Sequence, residues 1–328
     1  MKKHLIYFLI LLILSFAIAG CNAAEEEVVT VGMMTMVSHP SLDAISQGVK
    51  DKLAEAGYIV GENLELLEGN AEGDIATLST IVQQFIDADV DLIVATTTPA
   101  LQAAYNATKE TGSPPIIFNG VSNPYAAGIA NAPNDHPAWV LGNQLLDPVK
   151  EAMDLIILLK PGASVIGLIY NPAEANAVYL VELAQKEAGA RGLKLELATV
   201  SNSSEVQTAA EALASRNLDA YLAISDNTVT SGFEALVQVA NDNDILVVGT
   251  SASMPPRGAA ASYGIDPYQE GLDSGQLVVD YLKGDLDLAK TEIQIQDAVL
   301  LTVNPSAAQE QGVTLSDEIV EKADNVIE

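Results

Sequence analysis

Six short stretches of this sequence close apolar, β-branched runs with side chains that hydrogen-bond. They are Ser38-His39-Pro40, Thr96-Thr97-Thr98, Asn119 to Asn123, Asn171 to Asn176, Ser225-Asp226-Asn227-Thr228 and Gly249-Thr250-Ser251. Hydroxyls and carboxamides beside helix N-termini suit a small zwitterion. Helix dipoles and free backbone N–H groups attract its carboxylate, and Asp226 or Glu174 is placed to meet its ammonium. Each residue also has a plainer reading, since Ser38, Thr98 and Asn227 serve equally well as helix caps or turn formers. His39, a lone histidine before Pro40, reads as a ligand contact or a simple loop residue. A general-base role lacks support because no cysteine or activated serine accompanies it.

Motifs for covalent or metal chemistry are missing from the sequence. There is no Walker A loop, no Gly-x-Gly-x-x-Gly, no His-Glu-x-x-His and no cysteine pair. Gly249-Thr250-Ser251-Ala252-Ser253 approaches a nucleophile elbow, but Ser253 stands where the closing glycine belongs, and no histidine follows His136. The chain has only 3 histidines, and they are scattered, which disfavours a zinc site. The sequence therefore points to no enzyme, no metal and no cofactor.

The elements that carry these loops alternate short β-branched runs with amphipathic stretches of helical length, the pattern of βαβ units in a parallel sheet. Strands are expected at Val28 to Val37, Leu64 to Leu67, Leu92 to Ala95 and Ile116 to Phe118. Helices are expected through Leu42 to Leu53, stopped at Gly57, over Ile75 to Ile86, and from a Thr98 cap followed by Pro99. The order returns in the second half. There the helix Pro148 to Leu159 precedes strand Val165 to Tyr170, helix Ala177 to Ala188 and strand Leu193 to Val200. A helix boxed by Ser204 and Gln207 follows, then strand Ala220 to Ile224, helix Thr230 to Ala240 and strand Ile245 to Val248. Asp91 to Thr98 echoes Asp219 to Asp226, and Phe118 to Ser122 echoes Val248 to Ala252. Two similar α/β lobes follow from this repetition.

Three extended stretches, Trp139 to Leu146, Ala259 to Asp266 and Asp287 to Ile295, read as crossings between the lobes, with a helix Glu270 to Leu282 between the last two. A final strand near Ala298 to Val303 and a terminal helix complete the second lobe. The expected division is 28–142 with 267–290 for one lobe and 143–266 with 291–328 for the other. In such a body the carboxyl ends of both sheets face a shared crevice, where open α/β sheets bind ligands.

The chain begins with Lys2-Lys3, an apolar run from Leu5 to Ala19, and Ile18-Ala19-Gly20 before Cys21, its single cysteine. That run is too short to span ~30 Å of hydrocarbon and fits a secretory signal peptide over 1–20. Ile18 to Cys21 resembles the lipobox of bacterial lipoproteins, which implies lipidation at Cys21 and a flexible tether over 21–27. The formal charge of −29 argues against nucleic acid and against electrostatic docking on anionic lipid. A covalent acyl anchor would supply the attachment that charge does not. At 328 residues the chain exceeds one usual domain of ~100–200 residues, and no disulfide can join its lobes.

The stretches His39-Pro40-Ser41-Leu42-Asp43, Gly48 to Gly61, Asp91 to Ala100, Asn171 to Asn176, Ser225 to Val229 and Gly264-Ile265-Asp266-Pro267-Tyr268 together carry a resemblance that runs over nearly all of the body. By these residues it resembles the solute-binding lipoproteins of ATP-binding-cassette (ABC) importers, with the type I periplasmic-binding-protein fold, and within them the subfamily that includes the tryptophan-importer binding protein. It implies that Ser38, His39, Thr97, Thr98, Asn119, Asn171, Asn176, Asp226, Asn227 and Asp266 line an interlobe cleft, with Thr250 and Ser251 where relatives often carry an acid. Aromatics are sparse near these loops, which favours an amino acid or similar polar solute over an oligosaccharide. The implied role is a monomeric receptor on the outer face of the cytoplasmic membrane that hands a small solute to an ABC permease and, indirectly, its ATPase. The alternative is a sensor of the same fold that reports to a kinase or chemoreceptor.

Overall fold

The computed structural model describes residues 28–327, so the signal-peptide, tether and Cys21 expectations lie outside the described residues. Two sheets organise the chain. The first has six strands in the spatial order Gln294–Gln296, Val140–Leu145, Ile116–Val121, Leu92–Thr96, Val29–Thr35 and Leu64–Asn70, all paired in parallel. The second has seven, in the order Asn325–Val326, Leu300–Val303, Ala261–Gly264, Leu246–Gly249, Ala220–Ala223, Val165–Tyr170 and Lys194–Thr199. Only the pairing of Ala261–Gly264 with Leu300–Val303 is antiparallel. Helices cover both faces, so the central strands read as unbroken apolar runs, and all five residues of Leu92–Thr96 are buried.

The repetition seen in the sequence is a repetition of topology. In each lobe the chain starts on an inner strand, moves to the edge, then returns past its start, which puts a switch in winding direction beside the first strand. Asp91 and Asp219 occupy equivalent places. Asp91 Oδ2 accepts from Thr30 N (2.8 Å), and Asp219 Oδ2 accepts from Ser164 N (2.7 Å) and Val165 N (2.9 Å), each tying down the start of the neighbouring strand.

Several expected connections are strands. Within Trp139 to Leu146, Val140–Leu145 belongs to the first sheet. Within Ala259 to Asp266, Ala261–Gly264 belongs to the second. The stretch from Asp287 ends in Gln294–Gln296, which pairs with Val140–Leu145. Residues 143–145 and 294–296 thus lie with the first sheet, not in the second lobe, and the crossings shrink to 146–148, 265–266 and 297–299. The helices after two of these crossings are exchanged between the lobes. Val149–Leu159 buries Val149, Met153 and Ile156 in the second core, and Pro267–Leu282 buries Val278 and Val279 in the first.

Caps account for most remaining differences. The helix Thr98–Thr108 is capped by Thr97, not Thr98; its Oγ1 accepts from Ala100 N (3.4 Å). Thr97 reaches that position with φ 94° and ψ 155°, a backbone rarely tolerated by a β-branched residue. The Ser204–Gln207 box is absent, because Asn202 caps a short 3-10 turn at Ser203–Glu205 and Gln207 pairs with Glu211. The helix expected over Thr230 to Ala240 is broken at Gly232 into Asn227–Ser231 and Phe233–Asp242. The terminal helix is two short ones, Pro305–Glu310 and Asp317–Lys322.

Candidate functional site

Between the carboxyl ends of the two sheets lies a cleft of about 680 Å³ including its mouth. The first lobe contributes the start of helix Pro40–Glu55, the loop at Gly120 and Ser122, and helix Pro267–Leu282 through Pro267 and Glu270. The second contributes Asn176, Ser225 to Asn227, Thr230, Thr250, Ser251 and Met254. The crossings supply Leu146, Asp147 and Ile265. Apolar walls of Leu42, Ile45, Leu145, Leu146, Met254 and Ile265 thus meet polar loop ends, with no Phe, Tyr or Trp among the described lining residues. The lobes also touch directly, through a hydrogen bond between Ser41 Oγ and Ser253 Oγ.

Of the expected site residues, His39, Asn176, Asp226, Asn227, Thr250 and Ser251 line the cleft. The others stand apart from it. Ser38 is exposed and donates to both carboxylate oxygens of Asp43 (2.9 Å each). Asp266 is an exposed cap whose Oδ1 accepts from Tyr268 N (2.9 Å). Asn171 is a buried loop brace: its Nδ2 donates to Thr228 Oγ1 (2.9 Å) and its Oδ1 accepts from Ala173 N (2.9 Å). Thr97, Thr98 and Asn119 are buried behind the lining, and the side-chain polar atoms of Asn119 have no partner.

The two acids expected to meet an ammonium are already engaged. Asp226 Oδ1 accepts from Val229 N (2.8 Å) and its Oδ2 from Asn171 N (2.6 Å). Glu174, with no exposed surface, accepts from Thr228 N (3.0 Å), Thr228 Oγ1 (2.7 Å), Asn227 N (3.1 Å) and Asn227 Nδ2. Both carboxylates hold the turn at Asn227–Ser231 in place. Burial, and then the charge of Glu174, push the Asp226 carboxyl well above its ordinary range.

Two further acids face the cleft that the loop pattern did not reveal. Asp147 sits on the first crossing, and its Oδ2 is buried without a partner. Burial raises its carboxyl to about 6, opposed by the nearby side chains of Ser225 and Ser122, neither of which reaches Oδ2 with a hydrogen bond. Glu270 is 2% exposed and accepts from Gly120 N. Burial raises it to about 8, offset in part by the Gly120 N–H and reinforced by the charges of Asp147 and Asp273. His39 is lowered to about 4 by burial and then by Arg257, so it is uncharged at neutral pH. Its Nδ1 accepts a long bond from Leu42 N (3.5 Å), which leaves the proton on Nε2. Among the described residues, no Lys or Arg lines the cleft.

The model of the ABC transporter substrate-binding protein family matches residues 30–327. A tyrosine-binding protein of Clostridioides difficile strain R20291 is 32% identical over 295 residues, 86% of this chain and 84% of that one. An ABC domain from Streptococcus pneumonia solved in complex with L-Trp is 29% identical, covers 92% of this chain and 100% of its own, and superposes with a TM-score of 0.85. A ligand-free, open substrate-binding protein with adhesive properties from Clostridium difficile is 28% identical, covers 92% of this chain and 99% of its own, and gives 0.66. At nearly equal identity and coverage, the present lobes superpose better on the ligand-bound structure than on the open one.

Proposed function

The chain belongs to the family of ABC transporter substrate-binding proteins, with the type I periplasmic-binding-protein fold, and from that membership we propose that it binds an amino acid between its lobes and delivers it to an ABC permease. The observation that carries this reading is the cleft itself: apolar walls, hydroxyl-bearing loop ends, a helix N-terminus, and acids with no basic side chain among the lining residues. An α-ammonium fits such a place, and a side chain of moderate size fits beside Leu42, Ile45 and Met254. The tyrosine and L-Trp named for the relatives are amino acids of this kind.

The ligand would favour closure by contacting both lobes at once, since it shifts the populations only by its differential affinity for the closed state. The protein would act as a monomer tethered through a lipid on Cys21, outside the cytoplasmic membrane. Thermal denaturation against amino acids, nucleosides and sugars tests the binding reading. A true ligand at 100 times its dissociation constant adds ~2.7 kcal/mol, and a panel in which no amino acid raises Tm would defeat it. Labelled fatty acid incorporated by the wild type and lost in Cys21→Ala tests the anchor. Loss of amino-acid uptake on deleting the protein separates import from sensing.

A further inference from the structure

Among the acids lining the cleft, Asp147 and Glu270 differ from Asp226 in having acceptor capacity to spare. Asp226 has a backbone N–H on each oxygen. Asp147 Oδ2 is buried without a hydrogen bond, although the Ser225 and Ser122 hydroxyls stand near its carboxyl, and Glu270 takes only the Gly120 N–H. Both stand beside the hinge. Asp147 lies on the crossing 146–148, and Glu270 lies in the first turn of helix Pro267–Leu282, just after the crossing 265–266. A group held by both is therefore held where the lobes pivot. A buried carboxylate oxygen without a donor is costly, and the cleft lining contains no Lys or Arg to relieve it.

We infer that Asp147 and Glu270 together seat the ammonium of the ligand, which replaces a proton that the empty pair holds. This rests on the amino-acid reading above and names the acids that serve it. Two buried carboxyls that face one cavity resist joint ionisation, as their mutual repulsion indicates. At pH 7 the empty pair has Asp147 ionised, at about 6, and Glu270 protonated, at about 8. A protonated Glu270 would present a donor to the donors of an ammonium. Releasing that proton to solvent as the ammonium enters exchanges one positive charge for another and leaves the local charge unchanged. The other titratable groups that face the cleft are Asp226, backed by Glu174, and the uncharged His39, which has Arg257 and Glu234 beside it, while Asp273 stands on the helix of Glu270. None offers a basic side chain to the cleft lining.

The sign follows. Below about 8 the empty site carries a proton that the occupied site lacks, so affinity rises with pH from about 6 to about 8, by up to ~tenfold per unit, and then levels. The test is calorimetry on the purified protein with each of the twenty common L-amino acids, then with the tightest binder in two buffers of different ionisation heat. Close to one proton should be released at pH 7. Glu270→Gln keeps an acceptor for Gly120 N–H, and it should bind without proton release and without the pH slope. Asp147→Asn should lose ~100-fold in affinity. The deaminated analogue of the same ligand should bind the wild type about as weakly as that variant binds the amino acid. Ligand-free Tm of both variants reports that they are folded. An amino acid that binds without proton release, or whose affinity survives Asp147→Asn, overturns this inference and leaves the amino-acid reading standing. Failure of all twenty to bind removes that reading, and the inference with it.

Discussion

Glu174 is an acidic side chain used as a structural acceptor. It is wholly buried, and the donors of Asn227 and Thr228 converge on it. Glu174→Ala would strand those donors and should cost ~3 kcal/mol or more, read as a lower denaturation midpoint at unchanged m-value. Glu270 predicts the opposite sign. Its folded-state carboxyl titrates at about 8, above the unfolded value, so its stability contribution is complete at acid pH and is lost as pH rises through about 8. Without ligand, Glu270→Gln should gain on the order of 2–4 kcal/mol over wild type at pH 8.5 and almost nothing at pH 4.5. Equal pH profiles for the two proteins would refute the assignment. The sequence displays Asp226 and Glu174 in loops after strands, the right place for ligand acids. It cannot display that neighbouring backbone N–H groups already occupy their oxygens. Asp147 and Glu270 were hidden for the converse reason: one precedes a proline in an apolar crossing, and the other sits in a helix's first turn, where an acid is ordinary.

At the scale of elements, one tightly confined contact lies between helices Pro40–Glu55 and Pro267–Leu282. A Cβ on Gly48 would come 2.5 Å from Tyr268 O, and one on Gly271 would strike Ile45 O. The helices can approach this closely only because neither residue has a side chain. Gly271→Ala must push the helices apart, which should cost ~1–3 kcal/mol in unfolding free energy. Because Glu270 is the adjacent residue, the same variant should weaken ligand binding, measured by calorimetry on the folded fraction; retained affinity would show that Glu270 is placed independently of this contact. Elements with strong local signals were readable in advance. Val165–Tyr170 agrees to the residue, and helix Ile75–Asp87 buries the Leu78, Ile81, Val82 and Phe85 face that its spacing announces. What local pattern does not encode is partnership. Val140–Leu145 and Ala261–Gly264 look like extended linkers until their neighbours in the sheet are known, and the break at Gly232, with φ −106° and ψ 19°, sits where a Cβ would meet Ser203 O at 2.8 Å.

For the whole molecule the question is what holds two separately cored lobes together. Their cores are distinct clusters, and no disulfide links them, so the interlobe angle depends on three short crossings and on whatever contacts span the cleft. One such contact is the Ser41–Ser253 hydrogen bond, which joins the first helix of one lobe to the loop after Leu246–Gly249 in the other. A single neutral hydrogen bond contributes only ~0.5–1.5 kcal/mol, so it can bias closure without enforcing it. Ligand contacts must supply the remainder, and closure should depend on occupancy. Small-angle scattering should therefore give a larger radius of gyration for the empty protein than for protein saturated with its amino acid. Replacing both serines with alanine should leave the liganded radius unchanged and raise Kd by ~3–10-fold, the reciprocal of the lost bias toward the closed state. A radius insensitive to ligand would mean that the cleft is permanently closed, and the hinge would then have no part in capture.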